Sequence, residues 1–135
     1  MGSKLYLGID PGRSKTGLAL VDADGNIKKL RVAATSDLAA ELTQFTRDAE
    51  LASIVIGNGT NSANVEQIAE KVLFGLPFTV IKEAHSSEEA RKLYWQVNPP
   101  AGWRRIVPLG LLVPPVPLDA YAAVILVRRY LAQNK

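Results

Sequence analysis

The sequence contains no cysteine and a single histidine among its 135 residues. The absence of cysteine excludes disulfide bonds, thiolate zinc sites and thiol nucleophiles, and the one histidine, His85, argues against a histidine-rich metal site. Long apolar runs are also lacking, because the longest, Ala120–Val127, is far shorter than the roughly 20 residues of a membrane span. Residues 1–4 show no apolar block of a signal peptide. We therefore expect a cytoplasmic protein, without membrane partners, whose chemistry relies on carboxylates and on metals that prefer oxygen ligands.

The composition, 47% hydrophobic and 21% charged, predicts one globular domain over residues 1–135. Sixteen lysines and arginines against thirteen acids give a net charge of +3, which favours an anionic partner without proving one. Many of the basic residues come in pairs, and a solvated face is the more common role of such pairs.

The apolar pattern predicts an α/β fold with the element order βββαβαβαα. A turn at Asp22–Asn26 makes the first three strands an antiparallel meander, and the strand–helix–strand pattern that follows predicts parallel pairing of strands four and five. The expected fold is a mixed five-stranded sheet with helices on both faces. The predicted strands are 5–9, 16–21, 27–33, 53–56 and 78–81, and the predicted helices begin near residues 36, 62, 87 and 117.

A proline-rich segment, residues 99–117, contains six of the eight prolines and shows no periodicity. Loops of this length in small domains are usually functional or mobile, and we expect a functional loop. Pro117 is expected to be the first residue of the last helix, because proline is favoured at that position. Residues 118–131 are apolar on nearly every face, which predicts a helix buried against the sheet.

Three acids are predicted to converge at one edge of the sheet. Asp10 ends the first strand, Glu83 follows the fifth, and Asp119 lies in the first turn of the last helix. Sites in α/β sheets form at the carboxyl ends of strands, and clustered carboxylates are tolerated mainly when a divalent cation neutralises them. Mg²⁺ or Mn²⁺ there would support hydrolysis of a phosphodiester. Each acid also has a simpler reading, as a turn former, a solvated residue or a partner of the helix dipole.

Other residues are candidates for contacts with nucleic acid. A glycine-rich turn after the fourth strand is suited to approach a phosphate at the start of the next helix, although it could equally be a simple connection. Basic residues near Asp10 and near Trp103 are suited to contact phosphates and bases. The candidate nucleic-acid-binding residues are Arg13, Lys15, Gly57, Asn58, Gly59, His85, Arg104 and Arg105.

The sequence also resembles a known family over nearly its whole length. Residues 7–17, Leu-Gly-Ile-Asp-Pro-Gly-Arg-Ser-Lys-Thr-Gly, resemble the opening strand and turn of the RuvC Holliday-junction resolvases. Residues 82–90 and 119–126 resemble segments of the smaller YqgF family, also called RuvX, and residues 56–60 resemble the same domain in Tex-type transcription proteins. The resemblance implies a ribonuclease H-like fold with Asp10, Glu83 and Asp119 as catalytic, metal-binding acids.

Three functions follow as hypotheses. The first is a metal-dependent nuclease that processes an rRNA precursor or resolves Holliday junctions, and resolution would require a homodimer. The second is a nucleic-acid-binding module without cleavage, which the Tex-like turn at residues 56–60 and Ala84, where the YqgF pattern has arginine, would allow. Ala122 stands where RuvC resolvases usually have a second aspartate, which argues against four-carboxylate resolvase chemistry. The third, an ATPase of the sugar-kinase or actin type, would require two lobes, and 135 residues supply one.

Overall fold

The computed structural model describes residues 4–59, 61–84, 86–100, 102 and 114–134. Within them the order of strands and helices is the predicted one, and most element bounds differ from the predicted ones by one or two residues. The strands are β1 Leu5–Asp10, β2 Lys15–Val21, β3 Ile27–Ala34, β4 Leu51–Gly57 and β5 Phe78–Ile81; the helices are α1 Leu38–Thr46, α2 Ser62–Val72, α3 Ser86–Val97 and α4 Asp119–Gln133, with a short 3₁₀ turn at Thr35–Asp37.

The five strands form one mixed sheet in the order β3-β2-β1-β4-β5. β1 pairs antiparallel with β2 and parallel with β4, and β4 pairs parallel with β5. The predicted meander and the predicted parallel pair are therefore confirmed. Because β1, β4 and β5 run in the same direction, their carboxyl ends lie at one edge of the sheet.

Each face of the sheet is covered by helices, as predicted. On one face, the side chains of Leu7 and Ile9 pack with Leu42 and Phe45 of α1 in a core that extends to α2. On the other face, α3 and α4 pack over the sheet in a second core. The central strand β1 is thus covered on both sides, which explains why it reads as a nearly continuous apolar run.

Helix α4 lies unusually close to the sheet because glycines face it. A Cβ atom at Gly17 of β2 would overlap the main-chain carbonyl of Asp119, and one at Gly8 of β1 would overlap that of Ala123. Small residues on the helix complete the contact, and Ala120 and Ala123 are both buried. Two backbones can approach this closely only where no side chain stands between them.

The prediction for the first residue of α4 was wrong. Pro117 is not the first helical residue; Leu118 occupies the N-cap position and the helix begins at Asp119. The proline therefore precedes the helix by two residues, and an acid occupies the first turn, where the helix dipole favours negative charge. Most of the predicted functional loop, residues 99–117, lies outside the described residues.

Among the described residues, no helix combines the length and the apolar character that crossing a membrane requires.

We expect Gly17→Ala to destabilise the protein by about 1–3 kcal/mol, because the added methyl group meets main-chain atoms of α4 that cannot rotate away. Ala40→Ser is a suitable control, since it adds one atom to an exposed position of α1 and is expected to cost no more than roughly 0.5 kcal/mol. Urea unfolding of both variants measures the difference. Equal midpoints for the two would contradict the close approach of α4.

Candidate functional site

The three predicted acids come from three different parts of the chain and reach the same edge of the sheet. Asp10 is the last residue of β1, Glu83 follows β5 by two residues, and Asp119 is the first residue of α4. All three are half-buried. β1 and β5 are separated only by β4 in the sheet, and α4 crosses β1 and β2 on one face.

Asp10 has an unusual electrostatic environment. Burial raises its pKa from 3.8 to about 8, with further contributions from a hydrogen bond to the Glu83 carboxyl and from the negative charges of Glu83 and Asp119. Glu83 acts on Asp10 through both a hydrogen bond and its charge, whereas Asp119 acts through charge alone. Two carboxyl groups can share a hydrogen bond only while one of them keeps a proton. In the absence of a cation, Asp10 therefore holds its proton at neutral pH.

The Glu83 side chain lies over the end of β4, in a space that glycines leave open. A Cβ at Gly57 would overlap Glu83 Oε1, and one at Gly59 would lie 2.7 Å from Oε2 and 2.9 Å from Oε1. Glu83 Oε1 is buried and makes no hydrogen bond with the described part of the chain. A buried carboxylate oxygen with no partner is costly, which suits it to a cation as the missing partner.

The acids have the chemistry of a divalent-cation site but not its closed geometry. Carboxylate oxygens are the ligands of Mg²⁺ and Mn²⁺, and the Glu83 carboxyl, which carries the orphaned oxygen, interacts directly with the Asp10 carboxyl. In the described ranges, however, no three histidine or acidic side chains are grouped closely enough to hold a metal ion. Asp10 and Glu83 are therefore the pair in direct interaction, and Asp119 acts on Asp10 through its charge alone.

The turn after Asp10 is held by side chains that the sequence analysis did not single out. The Gly12 carbonyl accepts hydrogen bonds from Thr35 Oγ1 at 2.9 Å and Asn61 Nδ2 at 3.2 Å, and the Thr35 hydroxyl also pairs with that of the buried Thr16 at 2.8 Å. Asn61 occupies the N-cap position of α2, yet its side chain makes no capping bond and binds the turn instead. In the sequence, the only indication of a role for Asn61 was an asparagine at the start of a predicted helix.

The predicted nucleic-acid-binding residues fall into two groups. Arg13 is exposed on the β1–β2 turn and Lys15 is exposed at the start of β2, while Gly57–Gly59 lie beneath Glu83 at the end of β4. The Asn58 side chain accepts a hydrogen bond from the Glu83 main-chain N–H at 3.0 Å, so it supports the acid. Contact of these residues with nucleic acid stays a prediction. His85, Arg104 and Arg105 lie outside the described residues.

The strand order and helix placement define a ribonuclease H-like fold, as predicted. The structure of T. thermophilus RuvC in complex with a Holliday junction substrate matches 98% of this chain and 97% of its own, with 16% identity and a TM-score of 0.61. A second structure of Thermus thermophilus RuvC matches 97% of each chain, with 16% identity and a TM-score of 0.58. At this identity the likeness establishes the shared fold.

A ROK-family transcriptional regulator, a homologue of the E. coli MLC protein, matches 68% of this chain with 18% identity and a TM-score of 0.49. The chain spans only 31% of that protein's length. The sequence itself matches no protein-family model and no curated protein.

We expect the stability of the metal-free protein to fall between about pH 4 and pH 8, because the unfolded chain ionises Asp10 near 3.8 while the folded chain keeps its proton up to about 8. Asp10→Asn removes this penalty. The variant should therefore be more stable than the wild type at pH 8, by on the order of 5 kcal/mol, and nearly equal to it at pH 4. Thermal unfolding in chelator across this range is the measurement, and a difference that does not change with pH would contradict the environment described for Asp10.

Proposed function

We propose that this protein is a divalent-metal-dependent nuclease that hydrolyses phosphodiester bonds of structured nucleic acid. The observation that carries the proposal is the convergence of three half-buried acids on one sheet edge, where Glu83 and Asp119 both raise the pKa of Asp10. Structural packing alone offers no gain from placing these charges together, since like charges that share a site repel one another. Perturbed acids of this kind cluster at functional sites.

In this proposal Asp10 and Glu83 would hold the cation, and Asp119, which acts on Asp10 through its charge, would be the third acid of the site. When bound, Mg²⁺ or Mn²⁺ supplies an activated water and stabilises the charge that develops on the scissile phosphate. The chain's own residues do the rest. Asp10 gives up its proton as the cation binds, Glu83 brings its orphaned oxygen, and Arg13 and Lys15 contact the neighbouring phosphates without reading sequence.

The substrate is expected to be recognised by its shape. The junction-bound RuvC structure has the same fold, and the resemblance of residues 82–90 and 119–126 to the YqgF family favours an rRNA precursor as the alternative substrate. Resolving a four-way junction needs two coordinated cuts and hence a two-fold dimer, whereas trimming an RNA precursor needs one site. The two substrates are therefore separable by assay and by oligomeric state.

One observation favours a second function, that of a nucleic-acid-binding module without cleavage. Within the described residues, the acids are not grouped closely enough for three of them to hold one ion. A module of this kind would bind nucleic acid in a salt-dependent manner and leave it intact with any divalent cation.

We expect the wild type to cut end-labelled structured RNA or a four-way DNA junction in Mg²⁺ or Mn²⁺, and Asp10→Asn to lose at least about 100-fold in rate, because the amide cannot replace the carboxylate as a ligand. Lys28→Ala is a control that removes a charge from exposed β3 away from the acids. Metal-dependent cutting by the wild type that vanishes in Asp10→Asn supports the nuclease. Salt-sensitive binding without cutting would replace it with the binding module.

We expect Gly57→Ala to impair the site without touching an acid, because the new methyl group takes the place of the Glu83 carboxyl. The predicted result is a fall in kcat of about 10-fold or more and a smaller rise of the thermal midpoint on adding Mn²⁺. Gly75→Ala provides the matched control. Its backbone φ of 90° makes alanine costly by about 1 kcal/mol, yet the added Cβ would have no atom of the described residues within 4 Å apart from its chain neighbours, so its response to Mn²⁺ should equal that of the wild type. Equal responses in all three proteins would contradict the role of Glu83.

A further inference from the structure

The loop that carries Glu83 is held from the outside by one arginine of α4. Arg129 donates from Nη1 to the Lys82 carbonyl at 2.8 Å and from Nη2 to the Ala84 carbonyl at 2.6 Å. These are the two peptide carbonyls that flank Glu83 in the sequence. The loop has left the sheet after Ile81, so strand pairing no longer fixes its backbone.

The arginine is itself held in place by an acid. Glu89, in the first turn of α3, accepts from Arg129 Nε at 3.2 Å and from Nη2 at 2.8 Å. The Arg129 side chain is 23% exposed. Its planar guanidinium group donates hydrogen bonds to the Glu89 carboxylate on one side and to the carbonyls of Lys82 and Ala84 on the other. Arginine suits this task because its donors are fixed in one plane and its charge is permanent.

The position of the Glu83 main chain decides whether its carboxyl meets that of Asp10. The two carboxyls share a hydrogen bond, and an outward movement of the loop would break it. Asn58 holds the Glu83 N–H from the β4 side, and Ser86 N–H binds the Glu83 carbonyl at 2.8 Å. With Arg129 on the flanking carbonyls, the main-chain groups around Glu83 are bound from three elements.

We propose that Arg129, anchored by Glu89, is a positioning residue that sets Glu83 against Asp10. The inference rests on the proposed function and extends it, since it assigns to α4 the placement of two of the three acids. Asp119 begins the helix, and Arg129 fixes the loop of Glu83 ten residues later.

The neighbouring arginine offers a matched control. Arg128 lies on the same helix and donates from Nε to the Gly25 carbonyl at 3.0 Å, in the β2–β3 turn at the other end of the sheet. Arg128→Ala and Arg129→Ala therefore remove the same charge and side chain from consecutive helical positions. Only the second releases the loop of Glu83.

The experiment compares the wild type with Arg128→Ala, Arg129→Ala, Arg129→Lys and Glu89→Gln in the full chain. Hydrogen exchange of the Glu83 amide reports on the loop, Mn²⁺ titration reports on the cation site, and cleavage is resolved into kcat and KM. We expect Arg129→Ala to speed the exchange at least 10-fold, weaken Mn²⁺ binding, and lower kcat at least 10-fold with KM nearly unchanged. Arg129→Lys, which can reach one carbonyl at a time, should be intermediate, and Arg128→Ala should match the wild type.

Glu89→Gln keeps the proposal testable if Arg129→Ala fails to fold. Glu89 is 47% exposed, so its replacement leaves the core intact while freeing the guanidinium, and a smaller change in the same direction is expected. Unchanged exchange at Glu83 in Arg129→Ala would overturn the proposal. Faster exchange with unaltered kcat and Mn²⁺ affinity would also overturn it, because Arg129 would then be structural only.

Failure of the proposed function gives a different pattern. A wild type that neither cleaves nor binds Mn²⁺ overturns the nuclease, and the positioning role falls with it even if the exchange at Glu83 responds. A wild type that loses cleavage in Asp10→Asn but not in Arg129→Ala or Glu89→Gln retains the nuclease and rejects the role of Arg129.

Discussion

The contact between the backbone of α4 and the first two strands determines most of what the site can do. Gly8 and Gly17 remove the side chains that would hold the helix away, so Asp119 descends to the edge where β1 ends. At the other end of the helix, Arg129 reaches the loop after β5. A helix displaced outward by one methyl group would shift both ends together, because a packed helix moves as a rigid body. The close packing of α4 on β1 and β2 therefore determines both the fold and the positions of Asp119 and Arg129.

The site opposes the stability of the fold that carries it. Burying Asp10 beside Glu83 raises the pKa of Asp10 to about 8, and Glu83 Oε1 has no hydrogen-bond partner within the described residues. Such an arrangement persists only where the surrounding structure enforces it. Here the enforcement comes from main-chain hydrogen bonds: Thr35 and Asn61 bind the turn after β1, while Asn58 and Arg129 bind the loop of Glu83. The loops that carry Asp10 and Glu83 are thus held through main-chain groups.

The sequence predicted the elements well because their signals are local. Short apolar runs and period-3.6 patterns, with turns at Asp22–Asn26 and Gly75, specify strands and helices without knowledge of the fold, and the rule that sites form at carboxyl ends of strands brought the acids together. Arg129 could not be predicted in this way, since its partners are peptide carbonyls, which every residue possesses. Pro117 was misplaced for a related reason: proline is compatible with both the first turn and the segment before it, and only the packing of Asp119 on Gly17 decides between them.

The electrostatics of the sheet edge bear on the choice between cleavage and binding alone. A phosphate approaching this edge meets Arg13 and Lys15, which attract it, and then Glu83 and Asp119, which repel it. A module that only binds would gain affinity by losing these acids, because each unneutralised carboxylate near a phosphate weakens the complex. In the proposed function, Asp10 and Glu83 would hold a divalent cation, which would partner the orphaned oxygen of Glu83 and present positive charge to the phosphate. The acids therefore support the proposed nuclease, in which nucleic acid and cation would bind together, over a module that only binds.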